Sequence, residues 1–315
     1  MFRLHLIPYG TKFDIVGMSR YMISLAVAVV VTCFAFMTFK GLNYSIDFKG
    51  GYIFEVTLPG EPAIQELRDE LGSLGLGEVS IQQFGGKNNL MIRLGRAEDG
   101  KEQEMAIQKV RNALGTDAVY KKVETVGPKV GSELVSNAIK AVTFALLAML
   151  CYIAIRFEWQ FGICAVAALL HDCAIIFGMF SIFPLEFSET SITAVLLTAS
   201  YSINDTVVIF DRIRETLRRH KTMNIKDVIN LSLNETLSRT TLTATTTLLA
   251  VLALYLFGGK VIAAFALPIM VGIIVGTFSS IFVASPLLTC LNLRRDKIGG
   301  DDNRKDGGRS AANIG

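Results

Sequence analysis

The sequence predicts an α-helical membrane protein: a six-helix transmembrane bundle carrying one extracytoplasmic ferredoxin-like α+β domain. Three observations predict it. Of the 315 residues 51% are hydrophobic and the mean hydropathy is +0.45, more apolar than a soluble domain. Six segments stay apolar for the roughly 20 residues that a helix needs to cross a hydrocarbon core of about 30 Å. A polar stretch, residues 40–133, separates the first of these from the second and alternates strand and helix patterns.

Residues 1–20 form a basic tail with Arg3, Lys12 and Arg20, and residues 21–39 form the first span, uncharged throughout. Its apolar run exceeds the usual signal-peptide core and no A-x-A site follows it, so it reads as an anchor rather than a cleaved leader.

Within 40–133, "GYIFEVTL" reads as a strand and "EPAIQELRDELGSLG" as a helix with Pro62 in its first turn. "VSIQQFG" and "NLMIRLG" read as strands joined by a Gly- and Asn-rich turn. "GKEQEMAIQKVRNALG" reads as a second helix burying Met105, Ile107, Val110 and Leu114, and "AVYKKVETV" as a last strand. The order βαββαβ is that of a ferredoxin-like domain, which carries no activity by itself. The segment holds no His, no Cys and no glycine-rich phosphate loop, and Gly50–Gly51 reads as a tight turn entering a strand.

The second span, 134–155, carries only Lys140, and the third, 161–183, carries the pair His171–Asp172. The fourth, 190–210, carries only Asp205 and is followed by a basic loop, 211–239, running from Arg212 to Arg239. The fifth, 240–257, is uncharged. The sixth, 261–293, is longer than one crossing requires, and Pro268 and Pro286 are expected to trim or kink it before the basic tail 294–315. Basic residues gather in the two tails and the loops after spans two and four. The loop between spans three and four has Glu186 and Glu189 and no Lys or Arg. By the positive-inside rule both termini face the cytoplasm. All five cysteines lie in or at the ends of spans, so no disulfide framework is expected. A net charge of +3 gives no argument for nucleic acid, and no nucleotide, metal or hydrolase motif argues for an enzyme.

A carboxylate within a span costs about 2.5–3.5 kcal/mol on insertion scales, so it marks a functional position unless it snorkels, which a short Asp does poorly. Asp205 ends a polar stripe of Thr198, Tyr201 and Ser202 on one helix face. At about 1.5 Å per residue it lies in the inner half of its span. Arg239, just before span five, shares a face with Thr243 and Thr246. The two stripes are expected to face each other, with Arg239 favouring the ionised carboxyl and burial the protonated one: a proton relay. His171 and Asp172 point about 100° apart and so cannot both face one partner. Asp172 either lines the same pathway or hydrogen-bonds across helices, and His171 is either a proton carrier or a structural polar contact. Gly272-xxx-Gly276, continued by Ser280 and Ala284, marks a close helix contact.

"DFKGG" (Asp47–Gly51), "VGPKVGSEL" (Val126–Leu134), "YSINDTVVIFDRIRE" (Tyr201–Glu215), "NETLSRTTLTATTT" (Asn234–Thr247) and "LYLFGG" (Leu254–Gly259) together resemble the SecD/SecF family of the resistance-nodulation-division superfamily, over about residues 15–293. The resemblance implies a bacterial inner-membrane subunit of the Sec export machinery. It would partner SecD, associate with the SecYEG channel and YajC, and act on an exported polypeptide among membrane lipids. It also implies no cofactor, the proton being the coupling ion, with the family's functional Asp and Arg falling on Asp205 and Arg239. The competing expectations are a proton-driven efflux half-transporter for small molecules or lipids, and a passive scaffold of the translocon.

Overall fold

The computed structural model describes residues 11–60, 63–74, 79–83, 88–95, 101–115, 117–183 and 185–291. Pro62, the turn between the two middle strands, residues 292–293 and the tail residues Arg3 and 294–315 lie outside the described residues.

Among the described residues six helices are long and apolar enough to cross a membrane. Helix α1 spans Ile15–Phe39. After the outer domain come α5 (Pro128–Arg156), α6 (Trp159–Ile182), α7 (Glu189–Arg219), α8 (Ile225–Phe257) and α9 (Gly259–Ser279). The last continues through a π segment, Ser280–Ala284, into α10 (Ser285–Leu287) and a 3₁₀ turn. Helices α6 and α7 are the inner ones, while α5 and α8 leave nearly all of their apolar surface open.

Three boundaries differ from the sequence reading, each for a local reason. Helix α1 starts at Ile15 because Asp14 caps it, its Oδ1 accepting from Gly17 N at 2.8 Å. The basic segment 211–239 is not a loop. Helix α7 runs on to Arg219 and α8 starts at Ile225, so only residues 220–224 turn, and Arg239 sits deep inside α8. Pro268 lies within α9 without ending it; the sixth span changes pitch at the π segment instead.

The outer domain is a four-stranded antiparallel sheet in the order β2-β3-β1-β4, the ferredoxin-like order. Its elements are β1 (Gly51–Thr57), α3 (Ile64–Ser73), β2 (Val79–Gln83), β3 (Asn89–Gly95), α4 (Lys101–Leu114) and β4 (Val119–Val126). Period-two alternation turns Tyr52, Phe54 and Val56 inward, against Leu90, Ile92 and Leu94 of β3 and against Leu71 and Val110 of the two helices. Met105 is a correction: it is exposed, because it stands about 200° round the helix from Ile107.

A one-turn helix, α2 (Ile46–Lys49), joins this domain to the bundle. Gly50 is not a tight turn but the cap of α2, at φ +83°, and Gly51 opens β1. A Cβ on Gly51 would lie 2.2 Å from Leu94 O, so only glycine lets β1 pass there. On the bundle side, Ser45 N donates to Phe187 O at 2.9 Å, Phe187 N donates to Asn43 O at 2.7 Å, and the Phe48 and Phe187 rings stack at 6.0 Å. Arg93 of β3 reaches Asp47 at 3.7 Å.

The bundle core has two apolar clusters. Ile176, Met179, Phe180, Phe187 and Val195 fill the end nearest the sheet. Phe157, Phe161, Ile209, Phe210, Ile213 and their neighbours fill the other, with Phe161 and Phe210 edge to face at 5.2 Å. Between them lies a layer of polar side chains.

Candidate functional site

The polar layer is built where α6, α7 and α9 meet. Helix α9 comes close to α7 because Gly272 and Gly276 have no side chains. A Cβ on Gly272 would fall 2.0 Å from Thr198 Oγ1, and one on Gly276 would fall 3.0 Å from Ser202 Cβ. The small-residue pattern is thus a contact within this chain. Ser280 continues it as a polar group, its Oγ 2.8 Å from Thr206 Oγ1 and 3.3 Å from the Ser202 carbonyl oxygen.

Asp205 is 4% exposed, and its Oδ2 has no hydrogen-bond partner. Thr277 of α9 stands beside it. The Oγ1 of Thr277 is also without a bond, as are Thr198 Oγ1, Tyr201 OH and Thr240 Oγ1. The Tyr201 hydroxyl lies near Thr243, Thr247 and Thr277. Buried polar groups are normally bonded, so the unpaired oxygens of Asp205, Thr277 and Tyr201, which lie near one another, mark a polar interior rather than packed core.

Arg239 acts on Asp205 through space, but no ion pair forms between them, and Arg239 is exposed on the open side of α8. Of the stripe assigned to Arg239, Thr243 Oγ1 donates to Thr240 O at 2.9 Å, and Thr246, exposed, donates to Leu242 O at 2.9 Å. Their hydroxyls serve their own helix. Ser202, assigned to the Asp205 stripe, turns its hydroxyl to Asp172 instead.

Asp172 is fully buried and is the best-served carboxylate in the layer. Its Oδ2 accepts from Ser202 Oγ and, at 2.8 Å, from Ser279 Oγ, while its Oδ1 lies 2.9 Å from His171 Nδ1. The helical angle between His171 and Asp172 does not keep them apart, because the two side chains bend toward each other. Nothing in the sequence singles out Ser279 and Thr277, two hydroxyls in an otherwise apolar helix. Ser279 lies three residues after Gly276, on the glycine face of α9, whereas Thr277 lies about 100° off it and no sequence signal pointed to it.

At the end away from the sheet, charges tie the helices together. Arg156 bonds Asp211 at 2.9 Å, Arg214 reaches Glu158 at 3.4 Å, and Arg212 of α7 bonds Glu235 of α8 at 2.7 Å. Asn234 of α8 holds both backbone groups of Phe13 at 2.9 Å.

Residues 106–294 match the family described as protein export membrane protein SecD/SecF, C-terminal, and residues 35–58 match the SecD/SecF GG motif. The chain belongs to the SecD/SecF family. The protein translocase subunit SecF of Rickettsia felis is 41% identical over 298 residues, covering 94% of this chain and 97% of that one. That of Rickettsia rickettsii is 42% identical over 294 residues, covering 92% and 95%. The crystal structure of SecDF, a translocon-associated membrane protein, from Thermus thermophilus superposes with a TM-score of 0.77 at 37% identity. This chain is covered to 92% in that match and spans about 40% of the SecDF chain. SecDF in its super-membrane-facing form gives a TM-score of 0.71.

In this SecD/SecF member the two glycines that name the motif are Gly50 and Gly51, the cap of α2 and the first residue of β1. The motif therefore lies at the joint between sheet domain and bundle, well away from Asp205 along the chain.

Proposed function

We propose that this chain is a SecF-type subunit of the Sec export machinery. It pairs with a SecD-type chain in the inner membrane, near the SecYEG channel and YajC, and couples proton movement to late steps of polypeptide export. Both termini then face the cytoplasm and the sheet domain faces outward, as the placement of the basic residues argues. The match to only part of the longer SecDF chain supports a partner supplying the rest.

The observation that carries the reading is Asp205: a buried carboxyl with an unpaired oxygen in a hydroxyl-lined interior, within electrostatic reach of Arg239 but not bonded to it. A bonded pair would lock two helices, whereas an unbonded one can gain and lose a proton and change its attraction to Arg239. One charge crossing 100 mV releases about 2.3 kcal/mol, enough to bias two positions of the outer domain nearly fifty-fold. It does so only if the two protonation states prefer different arrangements. The α2 joint gives the bundle a short route to the sheet.

The test is Asp205→Asn in the assembled complex, with export into vesicles measured with and without a proton gradient. The gradient-dependent part of export is expected to vanish while assembly persists. Full gradient-driven export by the variant would reject the reading and leave a scaffold in its place.

A further inference from the structure

His171 is 8% exposed and its ring Nε2 has no hydrogen-bond partner. Its other nitrogen, Nδ1, faces Asp172 Oδ1 at 2.9 Å. The second oxygen of Asp172 is taken by Ser202 of α7 and by Ser279 of α9, whose hydroxyl also approaches the Gly276 carbonyl at 3.1 Å. When Asp172 is ionised it only accepts, so with Oδ2 served by two hydroxyls the imidazole then faces Oδ1 as an N–H donor. That places the proton on Nδ1 and the lone pair on Nε2. The ring is then a base whose buried Nε2 is unpaired and whose counter-ion touches it from behind.

We propose that His171 Nε2 is a second proton-binding atom of this protein, with Asp172 as its positioning residue and Ser202 and Ser279 as the supports of Asp172. The step is a reversible proton transfer. A hydronium ion reaching the ring breaks one O–H bond as the Nε2–H bond forms, leaving water and an imidazolium beside the Asp172 carboxylate. Loss of that proton restores the neutral ring, and no other bond changes. The proposal rests on the proton-coupled reading above and adds a station on a neighbouring helix. Ser202 stands one turn from Asp205 on α7, so charge at either station acts on the same helix. Few other charges face the dyad. Helix α6 offers Cys173, α7 offers Asp205 and Tyr201 on either side of Ser202, α1 offers Cys33 two turns away against Gly178, and α9 presents hydroxyls and the Phe278 ring. A purely structural dyad would instead keep one tautomer at every pH.

The chain has three histidines, His5, His171 and His220. Nitrogen NMR of the full chain, labelled at histidine and reconstituted in lipid with an unlabelled SecD-type partner, resolves the dyad without a variant. His5→Gln and His220→Gln assign the remaining signal by elimination. The expected result is an Nδ1–H tautomer that converts to imidazolium as the pH is lowered. A ring that keeps one form throughout, or that carries its proton on Nε2, overturns the proposal. Proton uptake into vesicles provides the functional arm. His171→Gln is expected to lose one limb of the pH profile, and Asp205→Asn to lose uptake altogether. A His171→Gln profile superimposable on the parent sinks this inference alone. Undiminished uptake by Asp205→Asn sinks the proton-coupled reading, while the NMR titration still decides whether the dyad binds a proton.

Discussion

Gly131, near the start of α5, stands against the backbone of Phe48 in α2, so close that a Cβ on it would lie 2.5 Å from the Phe48 carbonyl oxygen. Two separated stretches of sequence, "DFKGG" and "VGPKVGSEL", therefore meet backbone to backbone at the joint of the sheet domain with the bundle. Gly131→Ala has to push α2 away, and through it Phe48 off Phe187. A loss of about 1–3 kcal/mol is expected, the range of an overpacked contact. Thermal unfolding of the purified chain measures it. Gly162→Ala on α6, where a Cβ meets nothing within 4 Å, is the matched control and should be neutral or slightly stabilising.

The α7–α9 contact makes a second, sharper case. A Cβ on Gly272 would meet Thr198 Oγ1 at 2.0 Å and Thr198 Cβ at 2.8 Å. A β-branched side chain on a helix cannot swing aside, so Gly272→Ala must separate the two helices and open the polar layer. Gly276→Ala, with Ser202 Cβ at 3.0 Å, asks for a smaller shift and should cost less. In a double-mutant cycle, Thr198→Ala should recover part of the Gly272→Ala loss, with a coupling of about 0.5–3 kcal/mol for residues in contact. Equal losses at the two glycines, with no coupling, would place the contact elsewhere.

The fold was legible because its signals are long. Spans of some 20 apolar residues and a period-two alternation in β1 and β3 survive any detail of packing. Helix ends were less legible. The charges of 211–239 look like a loop, but Arg212, Glu215, Arg219 and Glu235 satisfy one another along α7 and α8, so the helices continue past the apolar boundary. Asp205 was found by its misplacement among apolar neighbours. Ser279 and Thr277 were not, since a hydroxyl in an apolar helix says nothing until a partner helix is placed. Nor can a stripe on one helix show which neighbour it serves: Ser202 shares a face with Asp205 in sequence yet bonds Asp172.

The N-terminal end of α1 should depend on acidity. Asp14 is held below its ordinary carboxylate value of 3.8 by the Gly17 N–H and by the Asn230 side chain at 2.8 Å. A depressed folded-state value means that the ionised form stabilises the cap. That contribution is present above the unfolded value and is lost as pH falls below 3.8 and through the folded value. The protection of the Val16 and Gly17 amides against exchange, relative to their intrinsic rates, should fall in that window. In Asp14→Asn, which still caps but does not titrate, it should stay flat. Equal acid sensitivity in both proteins would move the origin to another group.

Arg212 and Glu235 repeat, with signs reversed, the relation of Asp205 to Arg239. On α7 the acid is followed seven residues later by the base. On α8 the acid precedes the base by four, and the two helices run antiparallel. One pair is closed, at 2.7 Å, and the other is open. Both partners of the closed pair are partly exposed, so breaking it costs little: about 0.2–1 kcal/mol for Glu235→Gln, shrinking as salt is raised. Its larger effect should be on register. Glu235 lies one turn from Arg239, so the bond fixes where Arg239 stands relative to Asp205. Reversing both charges, Arg212→Glu with Glu235→Arg, should restore the α7–α8 register that either change alone disturbs. Disulfide trapping between cysteines placed at Ile209 and Leu237 reads that register. The single variants should trap slowly and the double at close to the parent rate, whereas equal trapping in all four proteins would show that packing alone aligns the helices.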